Sequence, residues 1–90
     1  MPEIRLTGTM TCPPERARDI RAALPEHIRL TRAEPGCLAF EVTETASGVF
    51  SVAERFTDRA AFEAHQLRTR ASDWARVTEG CPRDYEVTEA

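Results

Sequence analysis

FSVAERFTDRAAFEAH, residues 50–65, decides how this chain reads. Phe50, Val52, Glu54 and Phe56 alternate with Ser51, Ala53 and Arg55, the period of a strand with one buried side. Thr57-Asp58 breaks the alternation, and either residue suits the cap of a helix. The helix that follows carries Phe62 and ends near His65. One carboxyl therefore stands on an otherwise apolar strand face, and the nearest imidazole comes from the next element. A buried charge needs a partner or a proton. Glu54 and His65 are expected to touch, directly or through one water.

Working outward, Ile4, Leu6, Gly8 and Met10 alternate with Arg5, Thr7, Thr9 and Thr11 in a first half-buried strand. Pro13-Pro14 ends it and suits the first turn of a helix. Ala17, Ile20, Leu24 and Ile28 form one apolar helical face, with Pro25 expected to kink or split the helix. Glu34-Pro35-Gly36 is a stop and turn signal. Leu38, Phe40 and Val42 alternate with Ala39, Glu41 and Thr43 in a second strand, and Thr45-Ala46-Ser47-Gly48 reads as a hairpin loop. After the opening stretch, a second helical segment runs from about Thr69 with Ala71, Trp74 and Val77 as its apolar positions. Gly80 and Pro82 close it, and Tyr85 and Val87 mark a last strand.

The resulting order, β-α-β-β-α-α-β, is the ferredoxin-like arrangement, an α+β fold with an antiparallel sheet and its helices on one face. The reading is of one domain over residues 1–90. The opposite sheet face would carry Cys37, Ala39, Ser51 and Ala53, small and weakly polar. A chain of 90 residues buries only roughly 60–65% of its unfolded surface. A second copy is expected to cover that face, sheet against sheet, in a homodimer.

Composition excludes several functions. A net charge of −3 with no basic cluster argues against nucleic acid as a partner. No run of about 18 apolar residues is present, so no membrane span is expected. The start, MPEIRLTGTM, lacks the apolar core of a leader. The three cysteines, Cys12, Cys37 and Cys81, fit neither a disulfide framework nor a metal spacing, so reduced thiols in a cytoplasmic protein are expected. All twelve basic residues are arginine, which removes Schiff-base and P-loop lysine chemistry. No triad, phosphate loop or metal spacing stands anywhere.

Glu34-Pro35-Gly36-Cys37, then Phe50-x-Val52-x-Glu54-x-Phe56, then a helix bearing His65 together resemble the antibiotic biosynthesis monooxygenase family. The resemblance spans about Ile4 to Val87. It implies a dimeric α+β barrel. It also implies activities that range from cofactor-free oxidation of quinols and polyketide aromatics by O₂ to haem breakdown. Quinol-oxidising members often place a second His a few positions after the first. Here His65-Gln66-Leu67-Arg68-Thr69-Arg70 has none. Haem-degrading members rely on an Asn, which this chain lacks entirely, so haem degradation is disfavoured.

The expected site follows from these residues. His65 is the candidate catalytic base, or a donor to a phenolic oxygen, because an imidazole titrates near working pH. Its alternative role is structural, holding Glu54, and Glu54 itself is expected to be a structural partner. Trp74 would stack on an aromatic ligand. Phe50, Phe62 and Met10 would complete the apolar wall, and Arg70 would guide an anionic oxygen. The pocket is expected between the sheet and the two later helical segments. His27 reads as a partly buried surface residue. The expected ligand is a small quinol-type aromatic, oxidised with O₂ and without metal or cofactor. The rival readings are a non-catalytic ligand-binding or stress-response module, and an isomerase or cyclase using the same pocket.

Overall fold

The computed structural model describes residues 2–89. Strand β1 (Ile4–Thr11) is followed by a 3₁₀ turn (Pro14–Arg16) and helix α1 (Ala17–Arg32). Strands β2 (Cys37–Ala46) and β3 (Val49–Phe56) form a hairpin. Helices α2 (Arg59–Arg70) and α3 (Asp73–Val77) precede strand β4 (Arg83–Glu89). The sheet is four-stranded and antiparallel throughout, in the order β2-β3-β1-β4. This is the ferredoxin-like arrangement expected from the alternating pattern.

Register sorts the side chains. Ile4 pairs with Phe56, Leu6 with Glu54, Gly8 with Val52 and Met10 with Phe50. Directly opposed residues share a face, so these eight form the side beneath the helices. Thr7, Thr9, Ser51 and Ala53 lie on the open side and are exposed. The helix-covered side holds two apolar clusters. One gathers Met10, Cys12, Ile20, Phe50, Trp74 and Cys81. The other gathers Ile4, Leu6, Val52, Phe56 and Phe62.

A bulge in β2 corrects one assignment. Cys37 pairs with Phe56 while Ala39 pairs with Arg55, so Leu38 is an extra residue in the ladder. An inserted residue reverses the alternation on either side of it. Cys37 therefore leaves the open face, where strict alternation put it, and packs against the second cluster. Leu38 does not join Phe40 and Val42 in the core and is 49% exposed.

The helices depart from expectation in two places. Pro25 does not split α1, which runs unbroken to Arg32. The residue is exposed, so its ring stands at the solvent side of the helix, where water can serve the carbonyl that its missing N–H leaves unpaired. Helix α2 does not end near His65 but continues to Arg70. Asp58 is its cap, accepting the Ala61 N–H at 2.9 Å. Ser72 caps α3 in the same manner, accepting from Ala75 at 3.4 Å.

The turn between α1 and β2 depends on Gly36. Its φ of +86° lies in the left-handed region, and a Cβ there would meet Ala61 Cβ at 2.6 Å and Thr57 Oγ1 at 2.8 Å. Its carbonyl accepts the Thr57 N–H at 2.8 Å, locking the turn to the start of α2. Replacing Gly36 with alanine is expected to cost about 1–3 kcal/mol through backbone strain and the clash. Urea unfolding checks it; an unchanged midpoint would contradict this account of the turn.

Candidate functional site

The two histidines fill the seam between the apolar clusters. From Trp74, the His27 ring stacks face to face with centroids 4.7 Å apart. His65 lies 6.1 Å beyond His27, and Phe56 lies 5.0 Å from His65. Phe40 meets both imidazoles edge-on, at 5.3 and 5.7 Å. Both histidines are buried.

His65 and Glu54 are in contact as expected, but the hydrogen-bond partner of His65 is Glu34, which the sequence did not single out. His65 Nδ1 lies 2.8 Å from Glu34 Oε1. The other Glu34 oxygen accepts from Arg68 Nε. Arg68 also donates to Thr31 Oγ1 at 2.9 Å, and the Thr31 hydroxyl donates to the His27 carbonyl at 2.8 Å. Glu54 faces His65 from the same side of the sheet, but its Oε1 is 3.7 Å from Nε2, beyond hydrogen-bond reach. The two are neighbours, not a bonded pair. The bond went to Glu34 because the turn after α1 sets that carboxylate against the buried face of α2, whereas Glu54 approaches from the flat of the sheet.

This arrangement defines a proton geometry. A carboxylate accepts only, so Glu34 places the imidazole proton on Nδ1. Nε2 then keeps its lone pair, directed toward Glu54 and, at 3.5 Å, the Thr69 hydroxyl. Burial pushes the His65 pKa down, although Glu34 pulls it back up. Burial, aided by the charge of Glu34, pushes the Glu54 carboxyl up to about 7. Its Oε1 has no hydrogen-bond partner among the described residues. A base whose remaining lone pair meets only the long contact of the Thr69 hydroxyl and an acid titrating near neutrality thus face each other in an apolar surround, the combination that general acid–base chemistry requires.

Two clefts flank the seam. One, of about 180 Å³, opens between α1 and the α2–α3 segment, with His27 and Trp74 in its wall and Glu26, Arg68 and Asp73 around them. The other, of about 670 Å³, lies between α1 and the β2 side, lined by Leu24, Pro25, Ile28 and Phe50 with Arg21, Arg29, Arg32 and Glu44. His65 lines neither. The cleft bearing Trp74 therefore opens between helices, not between the sheet and the later helices as expected.

The remaining expected residues are dispersed. Met10, Phe50 and Trp74 share the first cluster, whereas Phe62 sits in the second, 5.8 Å from Phe56. Arg70 is exposed and lines a surface hollow with Arg76 and Glu79, apart from Trp74. His27 is the residue whose place the expectation understated. It is 5% exposed, its Nδ1 lacks a hydrogen-bond partner among the described residues, and burial pushes its pKa down to about 3. Its signal was in the helix: Ile20, Leu24, His27 and Thr31 recur at spacings of four, three and four, which is one face. Among the described residues, no group of three or more His, Cys, Asp or Glu is placed to hold a metal ion. Nor is any helix among those residues long and apolar enough to cross a membrane.

The model of the family described as antibiotic biosynthesis monooxygenase matches residues 4–77. The chain belongs to that family. Similar solved structures agree on the fold. A Deinococcus radiodurans protein, provisionally named an antibiotic biosynthesis monooxygenase, is 26% identical, with 97% of this chain and 91% of that one covered at a TM-score of 0.78. A Caulobacter crescentus protein with the same provisional name is 21% identical, covering 99% and 90% at 0.77. A Mycobacterium tuberculosis protein is 24% identical, covering 96% and 92% at 0.74. No curated protein matches the chain. In this member of the antibiotic biosynthesis monooxygenases, the Glu34-Pro35-Gly36-Cys37 turn has a definite role. Its glutamate holds the His65 ring, its glycine admits the start of α2, and its cysteine marks the bulge.

Proposed function

We propose that this family member oxidises a small dihydroxyaromatic, quinol-type substrate with O₂, with His65 taking the phenolic proton. The observation that carries the reading is the facing pair of His65 Nε2 and the unpartnered Glu54 Oε1, 3.7 Å apart. A phenolic hydroxyl set beside the pair can donate to Nε2 and accept from the protonated Glu54 carboxyl. Proton transfer to Nε2 leaves a phenolate, electron-rich enough to give an electron to O₂. The protein then need supply only a base, an apolar enclosure and orientation.

In this reading the ring enters by the cleft between α1 and α2–α3 and parts the His27–Trp74 stack to reach His65. A cavity of that size suits one aromatic ring, since an engineered apolar cavity of ~150 Å³ admits benzene. Trp74 holds the ring, and Met10 and Phe50, packed in the same cluster, support the wall from behind. The test is oxygen uptake with a panel of quinols in the presence of a chelator. Uptake no faster than the substrates' own autoxidation would sink the reading. The second reading, a binding module, is favoured by the tie from His65 through Glu34 to Arg68 and Thr31, which knits the fold as firmly as it orients a base. Product formation without oxygen would point instead to an isomerase or cyclase.

The same proposal includes a homodimer in the cytoplasm. The open sheet face carries small side chains at Thr7, Thr9, Ala39, Ser51 and Ala53. Its arginines, Arg5 and Arg55, are both held by Glu3, at 2.7 and 2.9 Å. Such a face can pack closely against its own copy, burying at least ~1,600 Å² in total. Light scattering at micromolar concentration should return twice the chain mass of 10.1 kDa; a stable monomer would contradict the dimer.

A further inference from the structure

Cys12 and Cys81 lie at one end of the sheet, and the register of β1 with β4 brings them together. Met10 pairs with Arg83. One step on, the Thr11 N–H donates to the Pro82 carbonyl at 2.9 Å. The next residues in that register are Cys12 and Cys81. Their own N–H groups go to the Gly48 and Thr78 carbonyls, so they face each other as a non-hydrogen-bonded pair. Such pairs bring Cα atoms to about 4.5 Å, within the span of about 4.4–6.8 Å that a disulfide bridges. Both side chains enter the first apolar cluster and both are buried there, close enough for the Cys81 thiol to act on the Cys12 thiol.

We propose that Cys12 and Cys81 are a redox-active dithiol that closes to a disulfide when a hydroperoxide oxidises it, sealing the α3–β4 turn onto the end of β1. With hydrogen peroxide, the Cys81 sulfur attacks the O–O bond, becoming a sulfenic acid and releasing one water. The Cys12 sulfur then displaces the hydroxyl as a second water and forms the S–S bond. Each sulfur gives up one electron and one proton, and the peroxide is reduced to two waters.

The pair is held in reserve. The thiolate is the reactive form, and burial together with the neighbouring thiol pushes Cys12 up to about 12. Reaction therefore waits on opening of the turn between Thr78 and Pro82. That turn is tied by side chains: Arg16 donates to the Val77 and Glu79 carbonyls at 2.6 and 2.8 Å, and Arg83 to the Cys81 carbonyl at 3.2 Å. Glu79, Gly80 and Pro82 are exposed. Cys37, half-buried in β2, stands on another part of the sheet and serves as the internal control.

The experiment is peroxide treatment of the reduced protein, followed by alkylation, digestion and non-reducing peptide mapping. The expected product joins the Cys12 and Cys81 peptides, lighter by two hydrogens, with Cys37 still open to alkylation. The melting temperature should rise with the cross-link, return to its starting value with dithiothreitol, and stay unchanged by peroxide in Cys12→Ser. Cys12 and Cys81 both remaining alkylatable at doses that oxidise Cys37 would overturn the proposal, as would cross-linking through Cys37 or a fall in melting temperature on closure. If Cys12→Ser does not fold, the wild-type map decides alone.

Discussion

Replacing His65 with alanine is expected to lower quinol-dependent oxygen uptake by ~10²–10⁴-fold, the span of a lost general base. The expectation rests on one lone pair. Glu34 occupies Nδ1 at 2.8 Å, so Nε2 is the nitrogen left to accept a proton. Glu34→Gln tests this independently. A glutamine can turn its amide N–H toward Nδ1 and shift the imidazole proton to Nε2, where it blocks acceptance. That variant should reproduce much of the loss although His65 is intact. Removing His65 also takes a partner from Glu34 and the nearest polar neighbour from Glu54. A stability loss of roughly 1–3 kcal/mol should accompany the kinetic one, so circular dichroism must show that the variant remains folded at the assay temperature. Equal uptake by wild type and His65→Ala would place the binding-module reading in front.

The second large effect is on stability against pH. The Glu54 carboxyl is raised from its ordinary 4.5 to about 7, so the folded state holds a proton that the unfolded chain has released. The stabilisation this group brings is complete below pH 4.5 and is lost as pH rises through about 7. Glu54→Gln keeps the shape and removes the ionisation. The variant should match wild type near pH 4.5 and exceed it by up to about 3 kcal/mol at pH 8, since each pKa unit is worth about 1.4 kcal/mol. His27 runs the other way. Its pKa is depressed to about 3, so its contribution is present above its ordinary 6.5 and is lost as pH falls toward 3. Between pH 4.5 and 6.5 the two slopes oppose each other. Wild type should therefore be flatter there, while Glu54→Gln should lose stability steadily with acid. Urea midpoints at pH 5 and 8 decide the matter; a gap between variant and wild type that does not change with pH would refute the buried-acid account.

Much of the fold was legible because its rules are local. The alternation of Phe50, Val52, Glu54 and Phe56 needs only the two-residue period of a strand. The face of Ala17, Ile20 and Leu24 needs only the turn of a helix. The order of these elements then leaves few ways to build a covered sheet. Where the sequence misled, a single residue changed the count. Leu38 enters the β2 ladder as an extra residue, and its neighbours exchange faces. Nothing in the composition of Cys37-Leu38-Ala39 announces that insertion, because a bulge is set by how β2 meets β3.

The candidate site divides along the same line. That Glu54 is a carboxyl in an apolar face, and that His65 stands on the following helix, could be read from sixteen consecutive residues. Which acid holds the imidazole could not. Glu34 is 31 positions from His65, and the contact exists because Gly36 lets the α1–β2 turn approach α2 closely. Glu54 is nearer in sequence yet stops at 3.7 Å. Sequence by itself determined that Glu54 would be buried, since the two-residue period of the strand assigns it to the covered face, while it understated His27. Tertiary structure alone decided which of the buried polar groups bond, because a hydrogen bond depends on tenths of an ångström set by turns and packing from distant parts of the chain.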